Sequence, residues 1–287
     1  MKFKKTFAAL LVGAMILTGC SSKPEGKKET KTEEKKENTG KKIKYAMVTD
    51  TGGVNDQSFN QSAYEGLKDL EKEGLATISY VESKQASDYK GNLETLLDSK
   101  NDLIAGIGFA LAKDMEAAAK ANPDQKYVII DSAFENTPKN LIGTIFADNE
   151  NSFLVGYIAG TLTTSNKVGF VGGVTSPLIK KFEAGFRAGV ELAAKDNKKT
   201  VEVVAQYAES FGDATKGKAI ANSMYTSGVD MIFHAAGGTG NGVIESAKEN
   251  QKFVFGVDRD QSYLAPEYVI ASTIKKVNEA IKSVGKE

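Results

Sequence analysis

The sequence predicts an α/β protein with two Rossmann-like lobes of parallel sheet flanked by helices. From Lys42 onward, short runs rich in β-branched and aromatic residues alternate with stretches whose apolar residues recur at three- and four-residue spacing. A repeated strand, helix, strand order is typical of parallel sheets with helices on both faces. About 245 residues with this alternation exceed the usual size of one doubly wound domain. We therefore expect two lobes with a cleft between them.

Ten strand-like runs divide into two series, which meet near Phe146 to Asn149 in the segment LIGTIFADNENSF. We expect a first lobe over residues 43–147, a second lobe over 148–257, and a crossover with return to the first lobe over 258–287. The runs are KIKYAMVTD (42–50), ATISYVE (76–82), DLIAGIG (102–108), KYVIID (126–131), LIGTIFA (141–147), KVGFVGG (167–173), VEVVAQY (201–207), DMIFHAA (230–236), KFVFGVD (252–258) and VIASTI (269–274).

The first 19 residues have the pattern of a secretory signal peptide. Lys2, Lys4 and Lys5 precede an apolar run, AALLVGAMIL, that is shorter than the about 20 residues a membrane span needs. The segment ends in Leu-Thr-Gly-Cys, which resembles the bacterial lipobox, whose cysteine is acylated. We therefore expect residues 1–19 to be removed and acyl chains on Cys20 to tether the protein to a membrane surface. The alternative is an ordinary signal peptide that contains a cysteine.

Composition limits the partners and the covalent chemistry of the chain. Cys20 is the only cysteine, so a disulfide within the chain is excluded. Residues 20–42 are nearly all Lys, Glu, Thr, Ser and Gly after the cysteine, and this composition predicts a disordered linker. Without the signal peptide, 34 Lys and Arg stand against 37 Asp and Glu, a net charge of −3. That balance does not indicate nucleic acid as a partner.

Three aspartates end strand-like runs: Asp50, Asp131 and Asp258. Ligands of open parallel sheets bind outside the carboxyl ends of the strands. If the lobes face each other, these carboxylates meet at the cleft. The alternative is that each is an ordinary turn or helix-capping aspartate.

Metal and nucleophile chemistry has little support in the sequence. The single histidine, His234, lies in the apolar run MIFHAA, where a core or cleft-rim histidine is expected, and neither HExxH nor CxxC occurs. Glycine clusters follow three of the runs (GGVND, GGVTSP and GGTGNG), but none has the spacing of a dinucleotide fingerprint or a Walker lysine. We therefore predict no catalytic residue, no metal and no cofactor, and take the glycines to allow close approach of backbone to a ligand.

Two phenylalanines follow strands in different lobes. Phe59 stands in the opening loop after the first strand, and Phe211 follows QYAES. If both point into the cleft, closure of the lobes stacks a flat ring between them. Core packing is the alternative, above all for Phe59, which begins a helical apolar face.

Several blocks together resemble one known family. They are the lipobox, VTDTGGVNDQSFNQSAYEGL, GFVGGVTSPLIKKFEAGFRAG, YAESFGDATKGKAIA, GVDMIFHAAGGTGNGVIESAK, GVDRDQS and STIKKV. In this order they are similar to the basic membrane protein family of bacterial substrate-binding lipoproteins, over essentially all of residues 43–282. The resemblance implies a type I periplasmic-binding-protein fold, hinge strands between the lobes, and service to an ABC-type importer.

The resemblance also implies roles for particular residues. In the nucleoside-receptor branch of the family the base lies between two phenylalanines, which correspond to Phe59 and Phe211. Asp258 and Lys275 match positions expected to hold the ribose. The remaining implied ligand-binding residues are Asp50, Asn55, Asp56 and Asn60 of the first polar block, together with Asp131, Gly237 and Gly238.

Family members usually continue past the helix KKVNEAIKSV with further strand and loop segments. The resemblance therefore carries the expectation that the final elements of the first lobe are missing from a chain that stops at Glu287.

The loop VTDTGGVNDQSFNQ is interpreted as the rim of a nucleoside pocket. Carboxylates at Asp50, Asp131 and Asp258 repel a phosphate dianion, but they accept hydrogen bonds from ribose hydroxyls. The predicted function is an extracytoplasmic, lipid-anchored, monomeric nucleoside-binding protein of an ABC importer. The resemblance implies a purine nucleoside, while the residues themselves leave purine or pyrimidine preference open. Two alternatives remain: an extracytoplasmic enzyme acting on nucleosides, and a binding protein or sensor for a sugar or another small ligand.

Overall fold

The structure is a computed structural model that describes residues 42–287. The predicted signal peptide, Cys20 and nearly all of the predicted linker lie outside the described residues. The predicted fold class is confirmed, because two five-stranded parallel sheets are flanked by helices. All ten runs that the sequence analysis selected contain strands.

The first sheet has the strand order β2-β1-β3-β4-β5. Its strands are β1 (Ile43–Val48), β2 (Ala76–Val81), β3 (Leu103–Ile107), β4 (Lys126–Ile130) and β5 (Leu141–Thr144). In β1, Tyr45 through Val48 are 0% exposed, because helices cover both faces of the sheet. This is why the strand has a continuous apolar run and not a period of two.

The second sheet repeats the same order one lobe later, β7-β6-β8-β9-β10. Its strands are β6 (Lys167–Gly172), β7 (Glu202–Tyr207), β8 (Met231–Ala235), β9 (Phe253–Asp258) and β10 (Val269–Ile274). Since β10 pairs with β9, the chain stays in the second sheet through Ile274. The return to the first lobe, expected from residue 258, therefore begins only at Lys275.

Eight α-helices lie within residues 42–287, in pairs that cover the faces of the sheets. They are α1 (Phe59–Lys72), α2 (Asp88–Asp98), α3 (Ala112–Ala121), α4 (Asp148–Leu162), α5 (Pro177–Asp196), α6 (Ala214–Thr226), α7 (Thr239–Asn250) and α8 (Val277–Lys286). Separate apolar clusters join α1 with α8 and α2 with α3 on the first sheet, and α4 with α5 and α6 with α7 on the second. None of these helices is long and apolar enough to cross a membrane.

Two helices of the second lobe begin at side-chain caps. The hydroxyl of Ser176 accepts from the amide of Ile179 at 3.2 Å, and Pro177 occupies the first turn of α5, where its missing N–H costs nothing. The carboxylate of Asp213 accepts from the amide of Lys216 at 3.0 Å at the start of α6. Both caps come directly after loops at the carboxyl edge of the second sheet, and they fix where those loops end.

Two connectors join the lobes within the described chain. Residues 145–147 lead from β5 to α4, and residues 275–276 lead from β10 to α8. The side-chain amide of Asn151 in α4 donates to the carbonyl of Ile274 at the end of β10, at 3.0 Å. The Lys275 ammonium lies 5.0 Å from the centre of the Phe146 ring, so the two connectors lie side by side.

Candidate functional site

A cavity of about 470 Å³, its mouth included, lies between the carboxyl edges of the two sheets. The cavity is lined by nine of the eleven residues that the sequence analysis proposed as ligand-binding: Asp50, Asp56, Phe59, Asn60, Asp131, Phe211, Gly237, Asp258 and Lys275. The strand-end rule therefore brings all three aspartates to one place.

Asn55 is not brought to the cavity. Val54 and Asp56 are each 3% exposed, and the turn that buries both directs the residue between them to solvent. Gly238 also does not line the cavity, because it backs onto Asp56 and the Phe211 carbonyl, where an added Cβ would stand 3.4 Å and 3.2 Å away. Its neighbour Gly237 does line the cavity, with a φ of 54° that favours glycine.

The polar block of the opening loop (residues 49–58) is organised by Asn60. Its side-chain amide donates to Asp50 at 2.7 Å and to Asp56 at 3.0 Å. Asp56 also accepts from the amides of Ser58, Asn60 and Gln61 at 2.8, 2.9 and 3.0 Å, and so caps the start of α1. Burial raises the pKa of Asp50 to about 6 and also raises that of Asp56, despite these hydrogen bonds.

Lys275 is a buried cation held between acidic and aromatic groups. Its ammonium lies 2.6 Å from Asp131 and 3.1 Å from Asp148, and each of the three side chains is 5% exposed or less. The rings of Phe59, Phe146 and Phe182 surround it at 5.4, 5.0 and 5.3 Å. Burial alone lowers the pKa of Lys275, but the neighbouring carboxylates outweigh that effect and raise it.

Asp131 and Asp258 have the same backbone geometry at the ends of β4 and β9. Each has a φ of 67°, in the left-handed region, which aspartate tolerates better than most residues. One carboxylate oxygen of Asp131 is buried without a hydrogen-bond partner. The Ser58 hydroxyl donates to Asp258 from the opposite lobe. Burial raises the pKa of Asp258 to about 7, while Lys275 and Ser58 act in the opposite direction.

The apolar part of the cavity contains four phenylalanines, two of which the sequence analysis missed. Phe59 and Phe211 come from different lobes, as the stacking hypothesis requires, and Phe109 and Phe182 join them. Phe211 packs edge to face on Phe109, with ring centroids 6.2 Å apart. Gly173 lies under the Phe211 ring, and a Cβ there would stand 2.3 Å from it. Stacking of a ligand between Phe59 and Phe211 stays a prediction.

The sequence patterns around the site residues that sequence analysis did not select differ in how much they reveal. Phe109 comes two residues after β3 in the run GIGFAL, so the strand-end rule applied to the aspartates would have found it. Phe182 has the spacing of an ordinary core residue on α5, and Ser58 and Asp148 become notable only when Asp258 and Lys275 are placed beside them. No local pattern marks these three.

The lobes also contact each other directly around the mouth. The side-chain amide of Asn241 donates to the Asp56 carbonyl at 3.0 Å, and Arg259 lies 3.1 Å from Glu65. Tyr263 donates to the Gln57 side chain from the second lobe. Among the described residues, no cluster of His, Cys, Asp and Glu has an arrangement suited to a metal ion.

Comparison with known proteins identifies the family. The family model described as "ABC transporter substrate-binding protein PnrA-like", named Bmp, matches residues 43–287. The chain belongs to the Bmp family. Its members are substrate-binding proteins of ABC transporters, and the predicted family is thereby confirmed.

Named relatives agree with the Bmp assignment. The chain is 40% identical over 302 residues to the "ABC transporter nucleoside-binding protein BmpA" of Lactococcus lactis subsp. cremoris, covering 96% of this chain and 82% of the relative. It is 46% identical over 275 residues to the "CD4+ T-cell-stimulating antigen" of Listeria monocytogenes, covering 90% and 74%. A solute-binding protein structure from Aeropyrum pernix superimposes with a TM-score of 0.82 at 28% identity, covering 85% of this chain and 70% of that one.

Proposed function

We propose that this Bmp-family protein captures purine nucleosides outside the cell and delivers them to the permease of an ABC importer. The observation that carries the proposal is a single cavity between the lobes that combines a phenylalanine from each lobe with buried carboxylates. A nucleoside combines a flat apolar base with a polar sugar, and each can find a matching group in this lining. The Lactococcus relative, which is named as nucleoside-binding, supports the same ligand class.

The aromatic part of the cavity suits the base. Phe59 and Phe211 line the cavity from opposite lobes, and Phe109 and Phe182 extend the apolar wall. Base stacking on aromatic side chains contributes about 1 to 3 kcal/mol per base. A bicyclic purine covers more of this wall than a single pyrimidine ring, which is why we propose a purine.

The polar part suits the ribose. Asp131 has a buried carboxylate oxygen without a partner, and Asp258 stands opposite it on the other lobe. Carboxylate oxygens accept from the hydroxyls of a diol in charge-assisted hydrogen bonds. Lys275 is tied to Asp131 and Asp148 and orients the first of these carboxylates.

The same charges oppose a nucleotide. Four aspartates line the cavity with a single lysine, and that lysine already has two carboxylate partners. A phosphate dianion brought into this site meets repulsion that a neutral nucleoside avoids. We therefore expect inosine to bind and inosine monophosphate to bind far more weakly.

Calorimetry on the full chain tests the ligand class. The panel is inosine, guanosine, adenosine, uridine, hypoxanthine, ribose and inosine monophosphate. We expect the purine nucleosides to bind most tightly and ribose and the nucleotide least. Absence of binding by every nucleoside contradicts the proposal, and tightest binding by ribose would favour the sugar-binding alternative instead.

We further propose that the protein is held at the outer face of the membrane as a monomer by acyl chains on Cys20. The lipobox-like ending and the linker composition support this part, together with the role of Bmp proteins in ABC transport. Incorporation of a labelled fatty acid, compared between the wild type and Cys20→Ser, tests it. Equal labelling of the two proteins excludes Cys20 as the anchor.

One observation favours testing the enzyme alternative. Burial raises the pKa of Asp50 to about 6 and that of Asp258 to about 7, and such values are typical of acid–base residues as well as binding sites. We expect no chemistry, because the Bmp family consists of substrate-binding proteins. Prolonged incubation with inosine followed by chromatography for free hypoxanthine checks this, and turnover would overturn the receptor function.

A further inference from the structure

Gln261 is a fully buried amide that belongs to no part of the cavity. It lies three residues after the end of β9 and is 0% exposed. Its backbone amide donates to the Ser272 hydroxyl on β10 at 3.1 Å. Its side chain contacts β8, β9 and the opening loop of the other lobe, so a single residue touches three segments that are distant in sequence.

The hydrogen bonds of this side chain determine which way the amide points. Oε1 accepts from the backbone amide of Val257 at 2.9 Å, so the oxygen must occupy that end. Nε2 then donates to the backbone carbonyl of Gln57 at 3.0 Å, across the boundary between the lobes. The amide thus uses its acceptor within the second lobe and its donor toward the first.

His234 supports this orientation. Its Nε2 lies 3.1 Å from Gln261 Oε1, and because that atom is an acceptor, the histidine must carry its proton on Nε2. Burial lowers the pKa of His234 to about 4, so the ring stays neutral. Gly240 packs against the ring so closely that a Cβ there would stand 2.1 Å from it, which fixes the position of the imidazole.

The hydrogen bond from Gln261 to Gln57 lies next to another contact between the lobes, the one from Ser58 to Asp258. Gln57 precedes Ser58, Val257 precedes Asp258, and Ser58 donates to Asp258 across the same boundary. Gln57 has a φ of 58° and Asp258 a φ of 67°, so each chain makes a left-handed step beside the bond. The Gln261 bridge and the Ser58–Asp258 bond therefore run in parallel between the same two segments.

We propose that Gln261 is a positioning residue that couples closure of the lobes to the alignment of Asp258 with the ligand. Its donor bond to Gln57 forms only when the lobes meet, and its acceptor bond holds the backbone from which Asp258 projects. The proposal rests on the proposed function for the identity of the ligand, but not for the bridge itself. The opposing interpretation is a residue that only stabilises the second lobe.

The hydrogen bond from Gln261 to the Gln57 carbonyl offers a direct test, because residue 261 must supply the donor. In Gln261→Glu the second carboxylate oxygen replaces Nε2 and faces the Gln57 carbonyl, so two acceptors oppose each other. Protonation of the introduced carboxyl restores a donor at that position. Closure in the variant should therefore fail at high pH and recover at low pH.

The experiment measures inosine affinity of the full chain at pH 8 and pH 5 for the wild type, Gln261→Glu and Gln251→Glu. Gln251 is exposed on the same lobe, and its variant adds the same charge away from the bridge. The titratable groups of the segments that contact Gln261 are His234, Asp258, Asp56 and Asp50, and the wild type carries them all. Its own pH profile therefore corrects for them.

We expect Gln261→Glu to bind inosine at least tenfold more weakly than the wild type at pH 8 and within about threefold of it at pH 5. Gln251→Glu should follow the wild type at both pH values. A ratio of affinities that does not change with pH overturns the coupling, even if the variant melts at a lower temperature, because a purely structural role predicts that pattern.

Two further measurements cover the remaining outcomes. If the wild type binds no nucleoside, the proposed function fails. Spin labels on one exposed residue of each lobe then measure how much of the ligand-free protein is closed at pH 8. Equal closed populations in the wild type and Gln261→Glu reject the hydrogen bond from Gln261 to Gln57 as a determinant of closure. If the variant does not fold, the side-chain amide protons of Gln261 are followed by NMR in the wild type. Their exchange should slow at least tenfold with inosine, and unchanged exchange rejects the proposal.

Discussion

The two lobes share one strand order, yet the aspartate at the equivalent position has a different partner in each. Asp131 follows the fourth strand of the first sheet, and Asp258 follows the fourth strand of the second, each with a φ of 67°. Asp131 pairs with the Lys275 ammonium at 2.6 Å, whereas Asp258 accepts a neutral hydroxyl from Ser58. The shared strand order therefore places both carboxylates at the edge of the cavity. The partner that another segment brings to each, Lys275 or Ser58, then affects how readily it ionises.

The largest expected effect comes from removing the cation of the first pair. Lys275→Met leaves Asp131 and Asp148 buried without it, and breaking a buried ion pair costs about 3 to 5 kcal/mol. Loss of the cation raises the pKa of Asp131 further, so the folded state keeps a proton that the unfolded state releases, and stability falls as pH rises. Urea unfolding should therefore show a larger loss at pH 8 than at pH 5.

The exposed neighbour gives the control for this variant. Lys276→Met removes the same charge one residue later, and we expect a change within about 0.5 kcal/mol. Equal losses for Lys275→Met at both pH values would contradict an electrostatic role for the cation.

The second prediction concerns the aspartate of the second lobe. Asp258→Ala removes an acceptor for a ribose hydroxyl, and a hydrogen bond to a charged group contributes about 1.5 to 3 kcal/mol. Inosine affinity should fall at least tenfold, while affinity for hypoxanthine, which has no ribose, should hardly change. Calorimetry with both ligands checks this, with Asp260→Ala, at an exposed position, as the control. A uniform loss for both ligands that follows a lower melting temperature would make Asp258 a structural residue.

Stacking from the two lobes can be compared in the same way. Phe59→Ala and Phe211→Ala should each weaken inosine binding by about 1 to 3 kcal/mol, because each removes one face from the base. Phe253→Ala, at a position 41% exposed and outside the cavity, is the matched loss of an aromatic ring. Unchanged affinity in both cavity variants would return the two phenylalanines to core packing.

The smallest expected effect is a gain in stability. The pKa of Asp258 is raised to about 7, so the folded state retains this proton where the unfolded state does not, and the stability it contributes declines as pH rises from about 4 to 7. Asp258→Asn removes the buried charge and should raise the melting temperature by a few degrees at pH 8 and by less at pH 5. Thermal melts at the two pH values measure this difference.

Asp131→Asn provides the comparison in the other lobe. It removes a charge that Lys275 pairs with, so no gain is expected at pH 8. A stabilisation of equal size in both variants would show that the partner of the carboxylate does not matter.

Much of the fold was predictable because it depends on local pattern. Strands buried on both faces read as continuous apolar runs, and the end of each run locates the residues at the carboxyl edge. Asp50, Asp131 and Asp258 were found in this way. The sheet to which β10 belongs was not predictable by the same reasoning, because a run such as VIASTI does not say which neighbour it pairs with.

Parts of the site escaped prediction because they depend on contacts between distant segments. Asp148 is notable only beside Lys275, and Gln261 only beside Gln57 of the other lobe. Asn55 was predicted to bind ligand because it belongs to a run of polar residues. The run itself does not indicate which of its side chains the turn directs to solvent, and Asn55 is exposed. Side-chain direction in irregular loops follows from packing, which a periodicity argument does not contain.

The adjacency of the two connectors has a mechanical consequence. Residues 145–147 and 275–276 contact each other, because the Lys275 ammonium lies 5.0 Å from the centre of the Phe146 ring. Two short connectors that lie side by side permit rotation of the lobes about one axis and resist sliding and twisting of one lobe against the other. The lobes should therefore open and close about one hinge axis. Ligand contacts far from this axis should move through large distances when the cleft opens. Lys275, which lies at the axis, should hardly move.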